Sequence, residues 1–484
     1  MLLLALAFVL WIKPPEILRV GANYSAKIVC SNVFLAGRDP DEVLRIDVQA
    51  AGVPLLRFMR ASVDRERRVV RVGLLGFIGN GLAVARPGNG CAVIPDGNLD
   101  FATHDSVVAG HAETALAAVP APNASAPAPS APAASGSASA GADAAWPEGS
   151  AVATNAALDH LLADDVLVGP GIRAVVVVHR GRIVAERYGE GFSPATPLLG
   201  WSMTKTVVAG LVGELIKEGR LALDQSAGWP TPVGNGRNVE GHNGERHVDD
   251  GDGRERIRIS DLLAMSSGLR FNESYGIVSD VTSMLYLQPD MAGFARAQPL
   301  AHPAGEFWSY SSGTANILSR IVQDAAGPLG AAYPSEKLFK PLGMTSATIE
   351  TDEYGTLVGS SYMYATARDW ARYGLFLLQD GVWRGQEMLP RGYVAMMASP
   401  VAASRGEYGR GMVWLWGSGA IAPGTNPDAA FGIPADTFWM EGHDGQSTAI
   451  IPSRDMVIVR LGLTPSRDHY RPQPLVKAVL DAAK

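Results

Sequence analysis

Residues 198–221 read LLGWSMTKTVVAGLVGELIKEGRL, and the fold and the chemistry both turn on how this stretch is understood. Apolar residues recur at 207, 208, 211, 212, 215 and 216, the period of a helix, and Gly219 stops it. Ser202 then stands at the helix entrance with Lys205 one turn in, so the i, i+3 spacing puts hydroxyl and ammonium on one face. A serine hydroxyl is a poor nucleophile until a base takes its proton, and a solvated lysine with a pKa near ~10.4 cannot be that base at neutral pH. The apolar helix that follows supplies the condition, because a desolvated lysine favours its neutral amine. Alone the pair says little: with 8 lysines and 33 serines among 484 residues, a serine three before a lysine is expected about half a time by chance, and Ser202–Lys205 is the single match.

Outward from this helix the segments are readable. Upstream, IRAVVVVHRGRIVAERYGEG (172–191) is two β-branched runs joined by a short basic turn, a hairpin with a buried first strand. Downstream, ISDLLAMSSGL (259–269), SGTANILSRIVQDAAG (312–327) and ATARDWARYGLFLLQDG (365–381) read as helices, with Thr366 and Asp369 resembling a capping box. STAIIPSRDMVIVRLGL (447–463) is a second hairpin, and a helix from about Pro472 to Ala483 closes the chain. Strands at both ends with helices between imply an α+β fold: an antiparallel sheet flanked by helices with an inserted helical subdomain, and a groove between the two parts.

The length implies more than one folded unit. Residues 1–15 open with the apolar run MLLLALAFVLWI, read as a signal or membrane-anchor segment, as part of a longer one, or as a buried strand. Residues 16–118, with short apolar runs between Gly, Pro and Asn, read as a small β-rich unit of unknown role. Residues 119–150 are almost wholly Ala, Pro, Ser and Gly, the composition of a linker. Residues 151–484 carry the chemistry. Cys30 and Cys91 are the two cysteines, which excludes a cysteine nucleophile downstream and permits one disulfide if the protein is exported to the cell envelope. A net charge of −7 offers no basic field to a nucleic acid. No H-E-x-x-H set occurs, His242 and His247 lack a companion motif, and the acids of HVDDGDGRERIR (247–258) miss the alternation of a calcium loop, so neither metal nor cofactor is expected.

Two further motifs give the Ser-x-x-Lys its meaning. PAGEFWSYSSGTANILSRIV (303–322) places Tyr310-Ser311-Ser312 before an amphipathic helix, and FWMEGHDGQSTAIIP (438–452) places His443-Asp444-Gly445 ahead of a strand. Ser-x-x-Lys at a helix start, a Tyr-centred triplet and a late basic-x-Gly, in this order, resemble the penicillin-recognising serine hydrolases. The chain is most similar to their class C β-lactamase-related branch, nearest its esterases and 6-aminohexanoate-oligomer hydrolases. LLAMSSGLRFNE (262–273), KLFKPLGMTSAT (337–348) and YMYATARDWARYG (362–374) resemble connecting segments of that family. Thr204, where an α/β-hydrolase elbow needs Gly, argues against the other common serine-hydrolase fold.

The resemblance, spanning roughly 150–484, implies a β-lactamase/transpeptidase-like domain. In it Ser202 would be the acylated nucleophile, Lys205 its general base and Tyr310 the proton relay to the leaving group. The backbone N–H groups of Ser202 and Gln446 would form the oxyanion hole, and His443, Gly445 and Ser312 would edge the substrate cleft. β-Lactamases usually carry lysine at the position of His443 and asparagine at that of Ser312, so the expected substrate is a small amide or ester. A D-aminopeptidase or β-lactamase is the alternative within the enzyme class. An envelope-tethered sensor of cell-wall peptide, acylated without turnover, is the alternative outside it. Tyr275 and Asp280 are read as ordinary loop polarity.

Overall fold

The strand Ile172–His179 (β5 below) shows how the C-terminal domain is organised. Its inward and outward residues go to different cores: Ala174, Val176 and Val178 join one apolar cluster, Val175 and Val177 another. Alternation with both faces covered explains why its sequence is a continuous apolar run. In this computed structural model the described residues are 12–50, 53–99, 144–153, 155–229, 239–240, 246–247, 253–276, 278–420 and 422–483.

Among the described residues the first complete helix is α1 (Glu16–Phe34), followed by a four-stranded antiparallel sheet, β1 (Met59–Asp64), β2 (Val69–Leu74), β3 (Ile78–Arg86) and β4 (Gly90–Val93), paired in sequence order. The C-terminal domain follows with α2 (Ala156–Leu162), β5 and β6 (Arg182–Tyr188). Then come α3 (Met203–Lys217), α4 (Ile259–Leu263), α5 (Asp280–Leu287), α6 (Met291–Arg296), α7 (Ser312–Ala325) and α8 (Ala367–Leu378). It ends with β7 (Phe438–Gly442), β8 (Gln446–Ile451), β9 (Met456–Gly462) and α9 (Gln473–Ala482).

The main sheet is antiparallel in the order β7-β8-β9-β5-β6, so the first and last hairpins of the domain meet at β9 and β5, with Val459 opposite Val176. Helices α2 and α9 supply Leu158, Leu162, Leu475, Val476 and Val479 to the cluster on one face. Helix α8 covers the other, and α3 through α7 form the helical part inserted between the hairpins. This is the expected α+β architecture. Thr366 caps α8 by accepting from the Asp369 N–H at 3.2 Å. Asp369 does not close the box but binds Ser346 and Arg372.

The region before the linker departs from expectation. It contains the sheet, but its first element is a 19-residue helix that the β-rich reading of 16–118 missed. The reason is burial on nearly every side of α1: Asn23, Ser25, Lys27, Ser31 and Asn32 are all buried beside its apolar residues, so the amphipathic period is absent. Ser25 and Asn32 donate to carbonyls four residues back, those of Gly21 and Ile28, whereas Asn23, Lys27 and Ser31 are answered far away in sequence. Asn23 donates to the Tyr286 carbonyl at 2.7 Å and accepts from the Leu82 N–H at 3.0 Å. Lys27 pairs with Glu350, which also accepts from the Cys91 N–H at 2.6 Å and from Ser31. Gly81 lets α1 lie on β3, since a Cβ there would strike the Ala22 carbonyl. Cys30 and Cys91 form a disulfide, joining α1 to β4 with Cα atoms 6.1 Å apart.

The N-terminal unit is therefore seated on the C-terminal domain. Asp47 binds both Arg38 of its own unit and Arg173 of β5. Most of the linker, 119–143, lies outside the described residues, as do residues 1–11 of the apolar run and 248–252 of the acidic loop. The last residues assigned to the linker belong to the domain: Trp146 is fully buried and its carbonyl accepts from Arg182 at 2.8 Å. Among the described residues no helix is long and apolar enough to cross a membrane, and no cluster of metal-ligating side chains occurs.

Candidate active site

Ser202 occupies the N-cap position of α3, yet its side chain makes no capping bond. It is turned instead toward the first turn of the helix, where Lys205 Nζ donates to its Oγ at 2.8 Å. The preceding Trp201 has φ 48°, a left-handed conformation rare for a bulky residue, and it sets the chain's sharp entry into the helix. The loop is pinned by residues 360–363. Gly200 N–H donates to the Met363 carbonyl at 3.0 Å, and Thr204 Oγ1 accepts from the Met363 N–H at 3.2 Å.

Lys205 is buried to 1% exposure and its ammonium donates to three acceptors: Ser202 Oγ, Ser312 Oγ at 3.1 Å and the Ser360 carbonyl at 2.8 Å. Ser360 is in turn held by its N–H to Asn316 Oδ1 at 3.0 Å. Burial lowers the lysine pKa to about 8, against an opposing pull from Glu273. At that value a useful fraction of the amine is neutral near pH 7 and can accept the Ser202 proton.

Tyr310 packs over the same ammonium, its ring centroid 4.8 Å from Nζ, and its hydroxyl interacts with Ser202. Desolvation, then the Glu273 charge, raise its pKa, so it is a neutral phenol able to donate. Its ring is fixed against Trp414 at 5.3 Å and Tyr408 at 5.9 Å between centroids.

Ser312 is placed differently from expectation. It is fully buried at the start of α7, beneath the lysine, and does not edge a cleft. Its hydroxyl accepts from Lys205 and donates to Glu273, while its N–H donates to the other Glu273 oxygen at 2.8 Å. Sequence reasoning missed Glu273. It sits in RFNESYG beside Tyr275, and burial raises its pKa while Lys205, Ser312 and His443 pull it back. The signal available was an acid two residues before the loop tyrosine.

Tyr275 also comes to the site, contrary to its reading as loop polarity: its ring stacks on His443 at 4.7 Å and its hydroxyl interacts with Ser312. Asp280 does not, and instead accepts from the Asn272 N–H at 2.8 Å to fold the loop. His443 meets Trp201 edge-on at 5.7 Å and lies 3.4 Å from Asp444 Oδ1.

Gln446 and Gly442 face each other across the β7–β8 turn, and Gly442 lies against the Gly200 carbonyl, two residues before Ser202. That contact brings the Gln446 backbone beside the loop that carries Ser202. The Gln446 side chain is occupied in clamping the turn, donating to the Gly462 carbonyl at 2.6 Å and accepting from the Gly462 N–H at 2.9 Å. Gly445 (φ 80°) has its carbonyl held by Arg460 at 2.9 Å, so its part is in the shape of the turn.

The site thus gathers a hydroxyl, a buried amine poised near neutrality, a neutral phenol and a late strand end. The beta-lactamase family model matches residues 166–474. A 6-aminohexanoate-dimer hydrolase of Paenarthrobacter ureafaciens is 26% identical over 325 residues, covering 61% of this chain and 73% of that protein. A Bacillus anthracis protein assigned as a 6-aminohexanoate-dimer hydrolase superposes with a TM-score of 0.53 at 21% identity, covering 69% of this chain and 86% of its own. A protein of Bacteroides dorei assigned as a β-lactamase gives 0.50 at 19%, covering 68% and 98%. The chain belongs to the beta-lactamase family and is a hydrolase built on that family's fold.

Proposed function

We propose that this hydrolase cleaves small amides or esters through an acyl-enzyme on Ser202. The observation that carries the reading is the 2.8 Å contact between Ser202 Oγ and a buried Lys205 whose pKa is about 8. Ser202 Oγ attacks the carbonyl carbon as its proton passes to Lys205 Nζ. The resulting oxyanion is held by the backbone N–H groups of Ser202 and Gln446, a type of donor whose loss costs on the order of 10²–10³ in rate. Tyr310 protonates the leaving nitrogen or oxygen as its bond to carbon breaks, and recovers a proton from Lys205. Water then attacks the acyl-enzyme by the reverse relay and releases the acid.

A small-molecule amide is favoured by the relatives named as 6-aminohexanoate-dimer hydrolases. Turnover of a β-lactam is disfavoured by His443, a half-exposed histidine stacked on Tyr275 where β-lactamases usually present a lysine to the drug's carboxylate. The Cys30–Cys91 disulfide supports assignment to an oxidising compartment, the cell envelope, together with the apolar run at residues 1–12.

The test is covalent labelling by a fluorophosphonate probe, with turnover of p-nitrophenyl esters, 6-aminohexanoate dimer and nitrocefin, in wild type and Ser202→Ala. Wild type labels and turns over; Ser202→Ala does neither. Equal labelling of the two refutes the assignment, and labelling without product release would mark a sensor.

A further inference from the structure

We propose that the N-terminal unit builds half of an apolar subsite that receives the acyl part of the substrate. The proposal rests on Ser202 being the acylated residue and adds the class of acyl group: an unbranched or aromatic hydrocarbon chain of several carbons. A cavity of about 390 Å³ opens where the two units meet, a size typical of small-molecule sites. Ile17, Val20 and Tyr24 of α1 line it from one side, with Val53, Leu55 and Leu56 of the segment leading to β1.

The catalytic domain closes it with Trp201, Tyr275, Tyr286 and His443. Three of these are fixed to the reacting groups. Trp201 is the residue before the nucleophile, Tyr275 reaches Ser312 beneath Lys205, and His443 stacks on Tyr275 and touches Trp201. The cavity therefore borders the residues that surround Ser202 and Lys205.

The acyl assignment follows from where the leaving group is protonated. Tyr310 packs on Tyr408 and Trp414, neither of which lines this cavity, so the departing group leaves on their side and the acyl group occupies the other. Asp444 and Arg467 are the charged side chains on the lining; the rest of the wall has no fixed charge to offer a polar chain. Ile17 and Val53, exposed by 41% and 50%, leave apolar surface at this wall that a hydrocarbon would cover.

The experiment is kcat/KM of the full chain on p-nitrophenyl acetate, butyrate, hexanoate and octanoate. Burying a methylene is worth up to about fourfold in kcat/KM, so hexanoate is expected to exceed acetate by tenfold or more. Ile17→Asp, and separately Val53→Asp, place a charge at a partly exposed wall position and lower the hexanoate-to-acetate ratio by tenfold or more. A flat chain-length profile in wild type, whether because residues 1–11 fill the cavity or because the chain goes elsewhere, overturns the proposal. So does an unchanged ratio in both variants. Ser202→Ala separates the two levels: hydrolysis surviving in it refutes the acyl-enzyme, whereas a dead Ser202→Ala with a flat wild-type profile refutes the acyl subsite alone.

Discussion

Replacing Glu273 by Gln removes the carboxylate that holds the Lys205 pKa up while keeping an oxygen to accept from Ser312. The two charges are separated by the Ser312 hydroxyl, which accepts from one and donates to the other. That puts them about 5 Å apart, an attraction of roughly 3 kcal/mol at an effective dielectric of about 20, or about two pKa units for a fully ionised pair. The expected shift of the lysine pKa is therefore downward by up to about two units. The sign is fixed by the role of the lysine. In the proposed mechanism Lys205 works neutral, so wild-type kcat/KM is expected to fall about tenfold per pH unit below about 8 and to level off above it. Glu273→Gln moves that ascending limb to lower pH, and at pH 6 the variant gains on wild type. The assay is kcat/KM on a p-nitrophenyl ester from pH 5 to 9.5, corrected for spontaneous hydrolysis. A limb that stays at 8, or moves up, refutes Lys205 as the titrating base.

Lys27→Met strands the buried Glu350 carboxylate and is expected to cost about 3–5 kcal/mol in thermal or denaturant unfolding, whereas Glu350→Gln, which still accepts from the Cys91 N–H, costs less. Gly442→Ala drives a methyl into the Gly200 carbonyl and displaces the nucleophile's loop; kcat/KM should fall about 100-fold with a smaller fractional loss of stability, read by parallel kinetics and melting. Removing the disulfide with Cys30→Ser and Cys91→Ser frees a loop of 61 residues and should cost about 4 kcal/mol by loop-closure entropy, measured as a lowered Tm with the chain still labelling at Ser202.

What was legible in the sequence was local. The helix after Ser202, the two hairpins and the order of Ser-x-x-Lys, Tyr and His-x-Gly rest on periodicity and spacing within a few turns, which the backbone enforces whatever surrounds it. The same locality explains the errors. Helix α1 carries polar residues on its buried sides because Tyr286, Leu82 and Glu350, distant in the chain, satisfy them, and no local pattern records such partners. Ser312 was expected at the cleft edge because a triplet's spacing cannot say which side its third residue faces. The start of α7 turns it inward to Glu273.

The sequence by itself determined that a hydroxyl and an amine share the first turn of a helix that ends in an apolar interior. Only the tertiary structure decided how far that amine is stripped of water and who opposes the stripping, since both depend on Ser360, Ser312 and Glu273 arriving from other segments. It also decided that the N-terminal unit shares a cavity wall with Trp201, the residue before Ser202, because burial of α1 against the C-terminal domain is a long-range contact that no stretch of either unit encodes alone.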